Sequence, residues 1–315
     1  SMINIPVWMF LSSYEKLRKD IIEKKTIVSM AHFGRGIFGS DFGTTSFVIS
    51  NKHVSKYLGS YRRLFEKQGA VDSVEQKEEW YLEGKGRFVA RQDNFEKIPG
   101  APVAYWVSEK FIEAYDRGIS IDEISDFTGS QHKTADNDRF LRFIWEVQSK
   151  KIEEKEWIFY AKGGEYRKWY GNVNLVVDWS QQAIKFYCKN TTSNMIKEKY
   201  WYKEGITYTS LTSGMTGFRY LQDNGIFDIK GPSIIDVKEL WYCLGFFNTC
   251  ISDYYLKLLN PTITIQVKDV KNIPIIIDEI KKEDINRKVK MNVENSKRDW
   301  DSFETSWGFK KHPLM

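Results

Sequence analysis

The sequence predicts an α+β fold, with a short α/β stretch ahead of a longer β-rich region braced by a helix. Three observations carry that expectation. Strand-like and helix-like apolar patterns alternate over residues 1–50. Aromatic and β-branched segments punctuated by glycine dominate 131–231. Within 236–259, Leu240, Leu244, Phe247, Ile251, Tyr254 and Leu258 recur at helical spacing. With 315 residues the chain can hold one large domain or two ordinary ones.

In order, 7–11 is a short apolar run. Ser12 with Glu15 offers a capping box for a helix carrying Phe10, Tyr14, Leu17 and Ile21 on one face. A β-branched stretch, 26–28, leads into 29–33, a glycine-rich loop follows, and 44–49 forms another strand. Such a stretch is too short to make a whole α/β domain with its own core, so 1–50 reads as the end of a larger sheet. Residues 51–86 form a charged helical connector, with Leu58, Tyr61, Leu64 and Phe65 on one side. A β-rich domain then spans 87–278. It opens on extended pieces broken by Pro99-Gly100 and Pro102, followed by a short helix over 109–115. Its clearest strands are 206–211, 217–221 and 225–229. The long helix 236–259 is capped by Asp236 with Glu239 and stopped by Asn260-Pro261, and a strand at 263–267 follows. The tail 279–315 is charged, then aromatic at Trp300, Phe303, Trp307 and Phe309, through which it contacts the body.

Lys+Arg 47 against Asp+Glu 42 gives +5, compatible with nucleic acid without demanding it. No apolar run is long enough for a membrane span. Cys188, Cys243 and Cys250 include no CxxC pair, which argues against a disulfide framework or a cysteine zinc site and makes the cytoplasm the expected compartment.

Gly34-Arg35-Gly36-Ile37-Phe38-Gly39 satisfies the dinucleotide-binding pattern, but no amphipathic helix follows and Val54, Ser55 and Lys56 stand where a carboxylate is needed. A loop between strands is the better reading, so no cofactor is expected on this chain. His32, His53, His132 and His312 show no metal-ligand spacing, and no catalytic motif is present. Two segments suit a ligand better. Lys133, Thr134, Asn137, Asp138, Arg139 and Arg142 bring amide and cationic groups of the kinds that read base edges and backbone. Lys162, Gly163, Gly164, Arg167, Lys168, Trp169 and Tyr170 combine close backbone approach, cations and stacking rings. Because Arg167 and Lys168 flank no carboxylate but Glu165, at least one is expected to be free for phosphate. For both segments, a polar turn with a solvated charge run is the plain alternative.

Several stretches together resemble one family. Residues 10–18 (Phe10 to Arg18), Ala31-His32-Phe33-Gly34, 44–48, 95–106, 134–142, 162–171, 203–207, Asn260-Pro261-Thr262 with Gln266, Ile273-Pro274-Ile275 and 299–307 follow, in family order, the later part of PglX/BrxX-type adenine DNA methyltransferases of BREX phage-defence systems. That resemblance implies an internal fragment. Residues 1–50 would be the end of a Rossmann-like methyltransferase sheet, and 87–278 a target-recognition domain that binds double-stranded DNA. S-adenosylmethionine and the Asn-Pro-Pro-Tyr/Phe motif that holds a flipped adenine belong upstream of the matched part. No Pro-Pro dipeptide occurs here, so the chain alone is expected to be inactive in methyl transfer. The alternative is a protein-interaction module whose aromatic surplus meets other phage-defence subunits. A free-standing enzyme ranks below both, because no acid/base pair or activated nucleophile is visible.

Overall fold

The computed structural model describes residues 1–38, 42–67, 69–126, 131–212, 214–260, 263–312 and 314–315. The chain is α+β and divides into two compact units, 1–118 with 258–260, and 119–257 with 261–315. The first unit contains β1 (Met2–Asn4), α1 (Glu15–Lys24), β2 (Thr26–Gly34), β3 (Thr44–Ser50), β4 (Leu58–Arg63), α2 (Val74–Leu82), β5 (Arg87–Arg91) and α3 (Glu109–Arg117). Its five strands form one sheet in the order β1-β3-β2-β4-β5, antiparallel except for the β2–β4 pair.

This sheet does not stop at residue 50. Residues 58–65, read as a helical face, supply β4 instead. The spacing of Leu58 and Tyr61 suits either element, but Gly59-Ser60 weakens a helix. Gly59 also lies so close to β2 that a Cβ there would stand 2.8 Å from the Ile27 carbonyl oxygen. Residues 7–11 are not a strand. Pro6–Met9 makes a 3-10 turn, as a proline at the first helical position favours. The helix over 15–24 forms as expected, but Tyr14 and Leu17 are exposed while Arg18, Ile21 and Ile22 turn inward. The reason is polar. Arg18 is 1% exposed, and its guanidinium donates to the carbonyls of Trp8 at 2.8 Å, Leu11 at 2.7 Å, Gly100 at 2.7 Å and Ala101 at 3.1 Å. Four backbone acceptors thus fix which face of α1 is buried. Tyr61 and Tyr105 stack at 4.9 Å in the adjoining core.

The second unit continues with α4 (Asn137–Phe140), β6 (Leu141–Phe143), α5 (Ser149–Glu153), β7 (Trp157–Ala161), β8 (Leu175–Asp178), α6 (Gln181–Lys189), β9 (Gly205–Tyr208), β10 (Phe218–Leu221), β11 (Gly225–Phe227), β12 (Ser233–Ile235) and α7 (Leu240–Phe247). After α8 (Cys250–Leu259) come α9 (Val267–Lys271) and α10 (Lys282–Trp300). One sheet runs β11-β7-β8-β6 and the other β10-β9-β12. The strands expected at 206–211, 217–221 and 225–229 appear as β9, β10 and β11. Helix α6, capped by Ser180, interrupts what was read as strands and turns.

The single helix expected over 236–259 is two helices. Asp236 has a φ of 50° and pairs with Lys203 at 3.1 Å rather than capping. The break falls at Asn248, whose amide nitrogen donates to the carbonyls of Leu244 at 3.0 Å and Phe218 at 2.9 Å, while its amide oxygen accepts from Phe218 N at 3.1 Å. The side chain that would continue the helical face joins β10 instead. Downstream, Ile251 and Tyr254 are exposed. The proposed stop at Asn260-Pro261 lies partly outside the described residues. The strand at 263–267 is replaced by a single bridge from Thr264 to Leu211 and by α9. The charged tail is a 19-residue helix, α10, whose Val289 and Val293 are buried. Gly245 admits it closely, since a Cβ there would lie 2.7 Å from Val289 Cγ2. Beyond α10, Trp307 meets Phe159 at 5.9 Å, whereas Phe303 is exposed.

Phe247 is 1% exposed and stacks on Phe218 at 4.8 Å. Phe247→Ala is expected to cost about 3–5 kcal/mol, lowering Tm by several degrees or giving insoluble protein. Phe303→Ala should leave the melt unchanged. Equal melts for the two variants would show that the face of α7 is misassigned.

Candidate nucleic-acid interface

The segment 133–142 forms a turn into α4 and β6. Ala135 adopts a φ of 67°, and Asp136 caps α4 by accepting from Arg139 N at 3.1 Å. Thr134 is buried, and its hydroxyl donates to Asn137 Oδ1 at 2.8 Å, so Thr134 positions rather than contacts. Asn137 thereby has its oxygen fixed, while its amide nitrogen has no acceptor among the described residues. Lys133, Asp138 and Arg139 are exposed. The Arg139 guanidinium lies over the rings of Phe140 and Phe186 at 4.7 and 5.1 Å, which flattens it against the surface. Arg142 donates to the carbonyls of Asp138 and Leu141 at 2.7 and 2.6 Å, bracing the same turn.

The segment 162–171 is placed differently from expectation. Neither of its central cations is free. Arg167 pairs with Asp299 at 3.2 Å and lies over Trp300 at 5.0 Å, a partner 132 residues away that no local reading of charge could supply. Lys168 Nζ donates to the Asn248 carbonyl at 2.7 Å, just past the C-terminus of α7. A cation is favoured there because the last carbonyls of a helix are unpaired and carry its negative end. Trp169 (φ 71°) and Tyr170 are tied to β10 and Gln222: Trp169 N donates to the Phe218 carbonyl at 2.9 Å and Tyr170 Oη to Gln222 Oε1 at 2.8 Å. Gly163 is buried, and a Cβ on it would stand 2.8 Å from the Lys230 carbonyl oxygen. Lys162 is half-buried; burial lowers its ammonium from the ordinary lysine value, against the pull of Asp228 and Asp138. Of this segment Gly164, Glu165 and Tyr166 are the exposed residues.

Asp138 and Lys162 therefore mark where the two segments approach, and the exposed groups there are Lys133, Asn137, Asp138 and Arg139. Sequence reasoning missed two further features. Phe143 and Trp145, 40% and 51% exposed, stack at 4.5 Å beside Arg142. Arg219 is 1% exposed on β10 behind Gly164–Tyr166. A lone cation within Phe218-Arg219-Tyr220-Leu221 was the available signal for the second.

The glycine run does not form a phosphate cradle. Gly34 ends β2, the next regular element is β3, and Gly39 lies outside the described residues. A Cβ on Gly36 would stand 2.6 Å from the Asp72 carbonyl oxygen, so this chain's own backbone packs closely against that glycine. Among the described residues no helix is long and apolar enough to cross a membrane.

No protein-family model matches the chain. Along its whole length it is 32% identical to the adenine-specific methyltransferase PglX of Lacticaseibacillus casei (strain Zhang), covering 28% of that protein. It is likewise 32% identical to the adenine-specific methyltransferase BrxX of Escherichia coli O9:H4 (strain HS), covering 26% of it. The chain is thus similar to one part of the PglX/BrxX-type adenine-specific methyltransferases. It spans about a quarter of the length of these curated relatives. The resemblance read from its motifs therefore holds from end to end. The fold is also like that of the Type IIL restriction-modification enzyme MmeI, solved in complex with DNA. The TM-score is 0.50 at 8% identity, over 99% of this chain and 44% of that one.

Lys168→Met is expected to lower stability by about 1–2 kcal/mol in denaturant melts, the loss of a charge-assisted hydrogen bond. An unchanged midpoint would mean that Nζ is free in solution. His132 gives a second expectation. It is fully buried against Tyr160, Trp179 and Tyr187, its two ring nitrogens have no hydrogen-bond partner among the described residues, and burial pulls it down to about 4. The unfolded chain takes up this proton near pH 6.5 and the folded chain does not. The stability His132 permits above pH 6.5 is therefore lost as pH falls towards 4, by roughly 3 kcal/mol. His32, held down to about 3 by burial and by Arg63 and Lys77, acts in the same sense. His132→Phe should flatten the acid side of the Tm–pH curve, and a parallel curve would refute this.

Proposed function

We propose that this chain is the DNA target-recognition part of an adenine-N6 DNA methyltransferase of the restriction-modification and phage-defence type. In this reading its second unit binds double-stranded DNA. The α1–β2–β3 run of the first unit is the end of the parent's catalytic sheet. S-adenosylmethionine and the methyl-transfer groups belong to parts of the parent beyond this stretch. The observation that carries the proposal is the 32% identity to two adenine-specific methyltransferases over the full chain. The chemistry of the exposed turn supports it. Asn137 presents an amide whose oxygen is already fixed by Thr134, and Arg139 presents a guanidinium flattened on two rings, both suited to base edges. Lys133 and Lys162 stand beside them as candidates for phosphate.

Binding of duplex DNA should weaken steeply with salt, by about one counterion per phosphate contact. Arg139→Ala should cost about 1–3 kcal/mol on the cognate duplex and reduce the preference over scrambled sequence, with the melt little changed. Salt-independent association with another protein, and none with DNA, would favour an interaction module instead.

A further inference from the structure

A cleft of about 480 Å³ opens between the 164–166 loop and the 209–217 segment, lined by Gly164, Tyr166, Thr209, Thr212, Gly214 and Gly217 among others, with Arg219 at its base. Arg219 is 1% exposed. One of its terminal nitrogens donates to Thr209 Oγ1 at 3.2 Å and the other to the Gly217 carbonyl at 3.3 Å. Its Nε is buried without an acceptor, and no carboxylate among the described residues pairs with it. In the same segment Thr216 Oγ1 is buried and has no partner among the described residues. Other buried cations of this protein are satisfied. Arg18 is ringed by carbonyls, and Lys77 has two carbonyls and Asp72. A buried guanidinium with open donors and no counter-charge is costly, and cations of this kind persist where an anion completes them.

We propose that the Arg219 cleft binds a phosphate group, which Arg219 grips from its base; the Thr209 and Thr212 hydroxyls, which already donate to the Gly164 and Met215 carbonyls, only wall the cleft. Resting on the DNA-binding reading above, we take that phosphate to be one of the DNA backbone. Burial lowers the guanidinium to about 10, so it is still charged at neutral pH. Gly214 leaves room for a bulky oxyanion to approach backbone. No Cβ contact within 4 Å would arise at Gly214. Glu165, exposed at the rim, opposes an anion weakly because it is solvated.

The test compares wild type, Arg219→Met and Gly214→Glu. Replacement of a buried cation by an apolar side chain of similar length is commonly tolerated, and Gly214→Glu adds a negative charge in open space if Arg219→Met fails to fold. Inorganic phosphate, titrated at constant ionic strength against chloride, should raise the Tm of wild type and of neither variant. An equal response in all three, or none in wild type up to tens of millimolar, overturns the site. With a DNA duplex, the variants should show a salt slope shallower by about one unit than wild type. A variant-sensitive phosphate response with identical DNA slopes would assign the cleft to a free phosphate and overturn the backbone source. No DNA binding by wild type would instead fail the functional reading, leaving the phosphate titration to judge the site on its own.

Discussion

Asn248 is the residue on which the geometry of the second unit turns. It is 6% exposed, and its amide closes the end of α7 while pairing both backbone groups of Phe218. Its own carbonyl receives Lys168. One residue thus joins a helix end, a strand and a loop. The strand is the one that carries Arg219, and the loop is the one whose Gly164 and Tyr166 face it. Buried networks of this kind specify one arrangement because each lost member strands the others without partners. The first unit uses the same device at Arg18, where a cation replaces an amide and four carbonyls replace a strand.

How far the sequence revealed this depended on whether the determining contact was local. The strands β9 to β11 and helix α3 declare themselves through runs of β-branched residues or helical spacing, which need no distant partner. The unit beginning at residue 1 was legible only in part, because Leu58 and Tyr61 satisfy helix and strand periods alike, and the choice is made by β2 approaching Gly59. The helix break at Asn248 was hidden for the same reason. A periodic face runs through it, and the competing hydrogen bonds come from a strand thirty positions earlier.

The candidate site divides along the same line. The turn 133–142 was readable because Asp136 and Thr134 organise it from within the segment. The loop 162–171 was misread in its charges because its partners, Asp299 and Asn248, lie far along the chain. Composition marks residues capable of meeting phosphate. Only the fold says which of them are already occupied. Arg219 inverts the pattern, since a side chain absorbed into a strand by its neighbours' hydrophobicity is a buried cation that no carboxylate pairs with among the described residues.

The pairing of β11 with β7 has a consequence for how such segments can be exchanged between proteins. Gly225 lies opposite Phe159 in a parallel register, while β9 and β10, which fall between them in sequence, belong to the other sheet, and β12 returns to it. The two sheets are therefore interleaved along the chain. No crossover point inside 141–235 can transplant one sheet without dividing the other, so an exchange by recombination must carry that whole stretch as a single cassette, whereas side-chain replacement in the 133–142 turn leaves both sheets intact.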